Sequence, residues 1–424
     1  MAVTLKAAAR NGSLSKRAPA AIRAARYASR VHRIAAAALL LVGCGGSPGT
    51  ARPPTTPAPS LDVPRIIVTP DSTASLDELF AAGQGAAARG DFRSAALYFD
   101  RVAALEPQGP VAPEALFLAA EAYDSLHEHA AALDRYEAVV HRYPRHGRAP
   151  EAATRGVRLS LYEEHWDWAG RFADRALERA SELGGLQQIA VYAGKAMQSV
   201  NAGDDVRASG FVERGRNVVE RDGLDLAGRL PIELAPLYYA LGEVRRIRAE
   251  RIHFDEPANF PARMEARCQL ILDAQSAYSD SWRAYDAHWS LLSGVRVGEL
   301  YDNLHRELMT TMQPPASADT DDRRLLYYGA TRLLYSVLLE KAHGMLDHTL
   351  AMAEREHERS AWVERARTAL RGIQDAERAE AQSLARLPYT RAELEEALAR
   401  LRAEARDKAA KGRPTAPPVA GPPR

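Results

Sequence analysis

The strongest constraint on this chain is a pattern of 37 residues that recurs between Leu76 and Ser181. Ala95, Ala132 and Ala169 fall at that spacing, as do Pro107, Pro144 and Ser181. Between them a large residue recurs as Phe99 and Tyr136, and the third copy reads Ala173 with Phe172 beside it. In the first copy the apolar run Leu79 to Gly83 leads into the break Arg89-Gly90-Asp91-Phe92, after which Ala95 to Phe99 resumes a helical period. Each copy predicts two helices joined by a tight turn. A small residue lets paired helices approach closely, and an aromatic one turn later fills the space between successive pairs. Proline beyond the second helix stops it. One such pair cannot bury its own apolar face, whereas a stack can, so the pattern predicts an all-α solenoid.

These residues, with Gly83 and Tyr123 in the first helices, resemble the tetratricopeptide repeat, whose usual period is roughly 34 residues. Extra link residues from Gln108 to Ala112 and from Arg145 to Ala149 lengthen the period, which is similar to that of periplasmic lipoproteins of the family. The resemblance speaks to fold, because one fold hosts many unrelated partners. It implies that first helices line a concave surface, which Phe80, Gln84, Phe117, Glu121, Asp124, Arg158, Tyr162 and Tyr239 would face. Phe80 and Phe117 would anchor a partner segment, with Glu121, Asp124 and Arg158 setting its polarity.

Ahead of the repeats the chain reads as an address. Residues 1–33 carry Lys6, Arg10, Lys16, Arg17, Arg23, Arg26, Arg30 and Arg33 without an acid, and the apolar run Ile34 to Val42 follows. A basic region, a short apolar core and a small residue before the cut predict a signal peptide over 1–43, too short to span a bilayer. The ending Leu41-Val42-Gly43-Cys44 resembles a bacterial lipobox, which implies acylation of Cys44 and stable anchoring by several chains. Gly45 rather than Asp points, by the same analogy, to the outer membrane with the domain facing the periplasm. The long basic segment leaves two alternatives, a start near Val31 or an organelle transit peptide. Residues 44–70 are a Pro-rich tether of extended character. Residues 1–43 hold eight of the 56 Lys and Arg and none of the 55 Asp and Glu, leaving 48 basic against 55 acidic groups. The remainder lacks the basic footprint of nucleic-acid binding.

Ser75-Leu76-Asp77-Glu78 reads as a capping box that opens a solenoid over 71–255. Gly203-Asp204 with Ala208 marks a fourth unit at a spacing of 39 from Ala169, and Tyr238, Leu241 and Gly242 open a fifth. After Phe254 the period is lost. Residues 256–410 predict a helical extension and 411–424 a Pro-rich, disordered tail, while only Arg65 to Val68 alternates like a strand. Tyr278, Trp282, Tyr285 and Trp289, spaced by four, three and four, predict a stripe on one helix face, better suited to core packing than to a glycan platform. A loop at Pro314-Pro315 precedes a long helix through Leu326, Leu338, Ala342, Leu346 and Leu350, and Thr390 to Glu393 caps a last helix. With Val297 to Tyr301 and Lys341-Ala342, this half is similar to the C-terminal region of myxobacterial tetratricopeptide lipoproteins, some linked to gliding motility. Cys268 reads as a small core residue, with no disulfide if Cys44 is acylated.

The motifs of chemistry are missing: no Gly-rich phosphate loop, no nucleophile elbow, no His-Glu-x-x-His and no paired cysteines. His127-Glu128-His129, with Asp124, His141 and His146, is the best metal-like group. Two residues apart on a helix the histidines would face different ways, so a turn between repeat helices suits them better than a metal site. The expectation is a non-enzymatic, lipid-anchored scaffold or adaptor for an envelope protein, without cofactor or metal. The alternatives are an accessory or hydrolase acting on peptidoglycan, which needs two carboxylates in a cleft beside Trp282 or Trp289, and an envelope subunit that self-associates through its C-terminal helices.

Overall fold

The computed structural model describes residues 74–226, 229–254, 259–316 and 318–411. The expected leader, Cys44, the tether, the Arg65 to Val68 stretch and the tail from 412 onward lie outside the described residues. Within them the chain forms fourteen α-helices and no strand. The first eight are four consecutive hairpins: α1 (Leu76–Ala88) with α2 (Phe92–Leu105), α3 (Ala112–Ser125) with α4 (His129–Arg142), α5 (Ala149–Tyr162) with α6 (Trp166–Leu177), and α7 (Gly185–Asn201) with α8 (Asp205–Asp222). This is the all-α, tetratricopeptide-like solenoid that the repeat predicts.

Local chemistry sets where these helices begin and end. At the start of α1, the Ser75 amide donates to Glu78 Oε2 at 2.8 Å and the Glu78 amide donates to Ser75 Oγ at 3.3 Å, a closed capping box. Asp91 and Asp204 cap α2 and α8 by accepting from Ser94 and Arg207 amides. Pro113 and Pro150 sit in the first turns of α3 and α5, where a missing N–H costs nothing. The turn inside each hairpin needs one left-handed residue. Gly90, His127, Glu164 and Gly203 supply it, with φ of 77, 58, 57 and 74°.

Packing follows the small-against-large rule. A Cβ on Gly83 would come within 2.8 Å of the Phe99 ring, and one on Gly156 within 2.6 Å of the Phe172 ring. Phe172 thus takes the large position of the third hairpin, while Ala173 beside it is simply buried. Successive hairpins are stitched by polar pairs roughly one unit apart. Arg135 Nη2 donates to Asp100 at 2.9 Å, Arg148 Nη2 to Glu114 at 2.8 Å, and the Pro107 and Pro144 carbonyls accept from Tyr143 and Arg179 of the next unit.

Beyond residue 255 the same packing persists although the sequence period does not. α9 (Leu234–Glu250) and α10 (Phe260–Trp282) form a fifth hairpin, with Gly242 against Tyr278, where a Cβ would lie 2.5 Å from the ring. α11 (Ala287–Thr311) and α12 (Asp321–Arg355) form a sixth, in which Gly298 faces Leu346. The hairpin principle survives because it needs only one small residue per crossing; longer helices and links hide its period. α13 (Ala361–Ala385) packs on α11 and α12, and α14 (Arg391–Lys411) packs on α12. One apolar core runs from Leu79 to Ile373. Cys268 is half-buried against it, its thiol pushed up by burial.

The expected aromatic stripe is corrected. α10 ends at Trp282 and α11 begins at Ala287, so the four residues straddle a turn and share no helix face. Tyr278 and Trp289 are wholly buried, Trp282 is half-buried against His348, and Tyr285, in a left-handed turn position, is 68% exposed. With Trp289 sealed in the core, the stripe offers sugars no platform.

Candidate functional site: a cleft between the repeats and the C-terminal half

The first helices α5, α7, α9 and α11 pack successively against one another, which brings the start of α11 to the end of α5. Three rings mark that meeting. Trp289 is wholly buried with its ring centroid 5.9 Å from Tyr162 of α5 and 5.4 Å from Tyr239 of α9. Tyr162 Oη donates to Asp286 Oδ2 at 2.9 Å, and the other carboxylate oxygen of Asp286 accepts from the Trp289 amide at 2.9 Å, capping α11. Burial, then the Asp286 charge, push the Tyr162 phenol well up, so it stays a donor throughout the physiological range.

A second tie joins the corner between α12 and α13 to the same place. Trp362 Nε1 donates to Glu164, across 198 residues of sequence. Two guanidinium groups lie over the indole, Arg296 at 5.3 Å and Arg365 at 4.6 Å from its ring, as cation–π contacts. Glu299 fixes both cations, accepting from Arg296 Nη1 at 2.9 Å and Arg365 Nε at 2.6 Å. Below them, Glu243 is buried with Arg296 Nε at 3.1 Å, Arg246 Nη2 at 2.8 Å and Tyr278 Oη at 2.5 Å. Burial alone would raise the Glu243 carboxyl, but the two guanidinium groups hold it below its ordinary value.

Between these ties and the repeats lies a cleft of about 1060 Å³. One wall is the C-terminal end of α3 with its turn, Asp124, His127 and His129, and the adjoining face of α5, Glu151, Arg155, Arg158, Leu159 and Tyr162, with Glu163 and Glu164. The opposite wall is Leu186, Gln187 and Ala190 of α7, Glu233 ahead of α9, Asp286 to His288, and the corner Glu358 with Ser360 to Trp362. His288 is held neutral by burial, and its Nε2 and Ser360 Oγ have no hydrogen-bond partner among the described residues.

Three of the eight residues expected to face a groove, Asp124, Arg158 and Tyr162, are brought together here. Glu121 sits just behind, its carboxylate 2.9 Å from Arg155 Nη2, its carboxyl pushed up by burial despite that partner. Phe117, expected as an anchor, and Tyr239, expected to face the groove, are corrected to core residues: 0% and 2% exposed, they present no surface. Two guanidinium groups, Arg148 and Arg155, cover the Phe117 ring, and Tyr136 meets its edge. Phe80 packs half-buried on Phe99, and Gln84 is exposed on α1, both away from the cleft.

His127 occupies the turn and His129 opens α4, their rings 5.8 Å apart, and His129 Nδ1 pairs with Glu163. No group of three or more potential metal ligands exists among the described residues. The left-handed position that glycine holds in the first and fourth hairpins is filled by His127 and Glu164 in the second and third, and both side chains line the cleft. A non-glycine residue there costs of order 1 kcal/mol, and it carries a side chain to the rim that glycine could not.

Sequence reasoning missed Asp286, His288, Glu358, Ser360 and Trp362, more than a hundred residues from the repeats they face. The one local signal was Trp362 itself, a large aromatic in a helix otherwise dense in Glu and Arg.

No protein-family model and no curated protein matches this chain. Among solved structures it is similar to a tetratricopeptide repeat protein from Parabacteroides merdae, with 12% identity and a TM-score of 0.36 over 70% of this chain and 98% of that one. It is also similar to the TPR domain of P58(IPK), with 13% identity and a TM-score of 0.23 over 72% of this chain and 99% of that one.

Proposed function

We propose that this chain is a non-enzymatic scaffold of the bacterial cell envelope, held to the outer membrane through acylated Cys44 and facing the periplasm, that grips a segment of a partner protein in the cleft. The cleft carries the proposal: a large, open depression lined by first-helix residues of the second, third and fourth hairpins and backed by the C-terminal half. Walls built on helices and their tight turns hold a guest's side chains in fixed geometry, as peptide recognition requires. The basic leader and the Leu-Val-Gly-Cys ending support the anchor. No described helix is long and apolar enough to cross a membrane. Anchoring confines the cleft to the membrane surface and raises its effective concentration toward envelope partners.

The test places a photo-crosslinking residue at Leu186, on the cleft wall, or at Val206, 75% exposed on α8 and outside it, in cells that retain Cys44. The expected result is one envelope protein joined from Leu186 and not from Val206. Equal crosslinking from both positions, or none from Leu186, overturns the cleft as the partner site. Fractionation checks the anchor: wild type sediments with outer membranes, and Cys44→Ser leaves that fraction.

A further inference from the structure

We infer that the segment this cleft takes is cationic, an extended peptide that presents arginine or lysine to the wall formed by α3 and α5. The inference rests on the scaffold reading and adds its polarity. Seven carboxylates line the cleft against two guanidinium groups, and burial keeps His288 neutral, so the lining stays acidic even with His127 and His129 protonated.

The carboxylates of the opposite wall are engaged: Asp286 caps α11 and accepts from Tyr162, Glu233 pairs with Arg158 at 3.6 Å, and Glu358 accepts from the Arg359 and Ser360 amides. The α3 and α5 wall differs. There Asp124 has no hydrogen-bond or ion-pair partner on its carboxylate among the described residues, and Glu163 meets only the imidazole of His129. Arg155 is shared between Glu121 and Glu151.

Two helices, α3 and α5, also end at this wall, and a helix C-terminus favours positive charge. At one end of the cleft Glu164, in the turn after α5, accepts from the Trp362 indole. A depression with one sign of charge and low-dielectric walls concentrates ligands of the opposite sign, and an acidic guest would meet like charges along its length.

The experiment uses the full chain and a fluorescein-labelled peptide of alternating arginine and serine, with a glutamate and serine peptide as its counterpart, read by fluorescence anisotropy. Asp124→Asn with Glu163→Gln removes two wall charges; Glu163 ends α5 through its backbone, which the substitution leaves in place. Glu395→Gln with Glu396→Gln, on exposed α14, removes two charges elsewhere and controls for general attraction. The expected result is binding of the arginine peptide that weakens about tenfold in the first variant, stays unchanged in the second, and fades with added salt. Equal affinity for all three proteins, tighter binding of the glutamate peptide, or no binding of the arginine peptide overturns the inference. The crosslinking result separates the two readings. A partner captured at Leu186 through an acidic segment leaves the scaffold standing and removes its polarity. Arginine-peptide binding that depends on Asp124 and Glu163, with no partner crosslinked, does the reverse.

Discussion

Two glycines show at the scale of one residue how far the packing rule reaches. Gly344, in α12, has no atom within 4 Å of where a Cβ would sit, whereas Gly242, in α9, faces the Tyr278 ring at 2.5 Å. The same substitution should therefore change stability with opposite sign. Gly344→Ala gains helix propensity and should raise stability by about 0.5 to 1 kcal/mol. Gly242→Ala forces a ring that is buried beside Tyr239 and bonded to Glu243, and should lower stability by roughly 1 to 3 kcal/mol. Denaturant midpoints of the two variants check this; a stabilised Gly242→Ala would mean that the ring can move. Gly242 was legible as the small position of a first helix, but its partner was not, because Tyr278 lies 36 residues on, in a stretch without a period. Glu243 gives a pH signature. Folding lowers its pKa from an ordinary 4.5, so its contribution is complete above that value and is lost as pH falls through the lower, folded value. Glu243→Gln leaves Arg246 and Arg296 without their shared anion and should cost about 3 kcal/mol or more at neutral pH. Its stability should also fall less steeply than that of wild type below pH 4.5, as acid unfolding curves would show.

Among the elements, α13 has a position that local pattern could not reveal. Hairpins were legible because punctuation recurs: a break at Gly90, prolines after α2 and α4, a capping box at Ser75. The docking of α13 is set instead by Trp362, whose partner Glu164 sits in the turn between α5 and α6. No periodicity relates two such residues, which also explains why half of the cleft went unseen. The bond and the cation–π contacts contribute differently, and two substitutions separate them. Glu164→Gln keeps an oxygen that accepts from the indole and should cost about 1 kcal/mol, the difference between a charged and a neutral acceptor. Trp362→Ala removes the indole and its contacts with Arg296 and Arg365 and should cost roughly 3 to 5 kcal/mol. Hydrogen exchange locates the loss: in Trp362→Ala the first turns of α13 and the turn after α5 should both lose protection. If only α13 responds, the tie holds α13 without bracing the repeats.

Across the molecule, the question is whether residues beyond 255 extend the solenoid or hold it. In an array whose units touch only their neighbours, removing an end disturbs the adjacent unit and little else. Here α5 touches the start of α11 through Tyr162, and its following turn touches α13 through Glu164, contacts that skip the two intervening hairpins. Ending the chain after residue 254 removes α10 to α14. It uncovers the Gly242 face of α9, as any nearest-neighbour array would, but it also strips Trp289 and Asp286 from Tyr162 on α5. Hydrogen exchange on the shortened chain should therefore show a skip. α1 to α4 keep their protection, while α5 loses protection together with α9 and α7, at least tenfold in exchange rate, the equivalent of about 1.4 kcal/mol. A shortened chain in which α5 exchanges as slowly as in the full one would make the array a nearest-neighbour solenoid and the C-terminal half an appendage. Loss at α5 would instead make the cleft a joint product of both halves, with a wall that exists only while the C-terminal helices hold it in place.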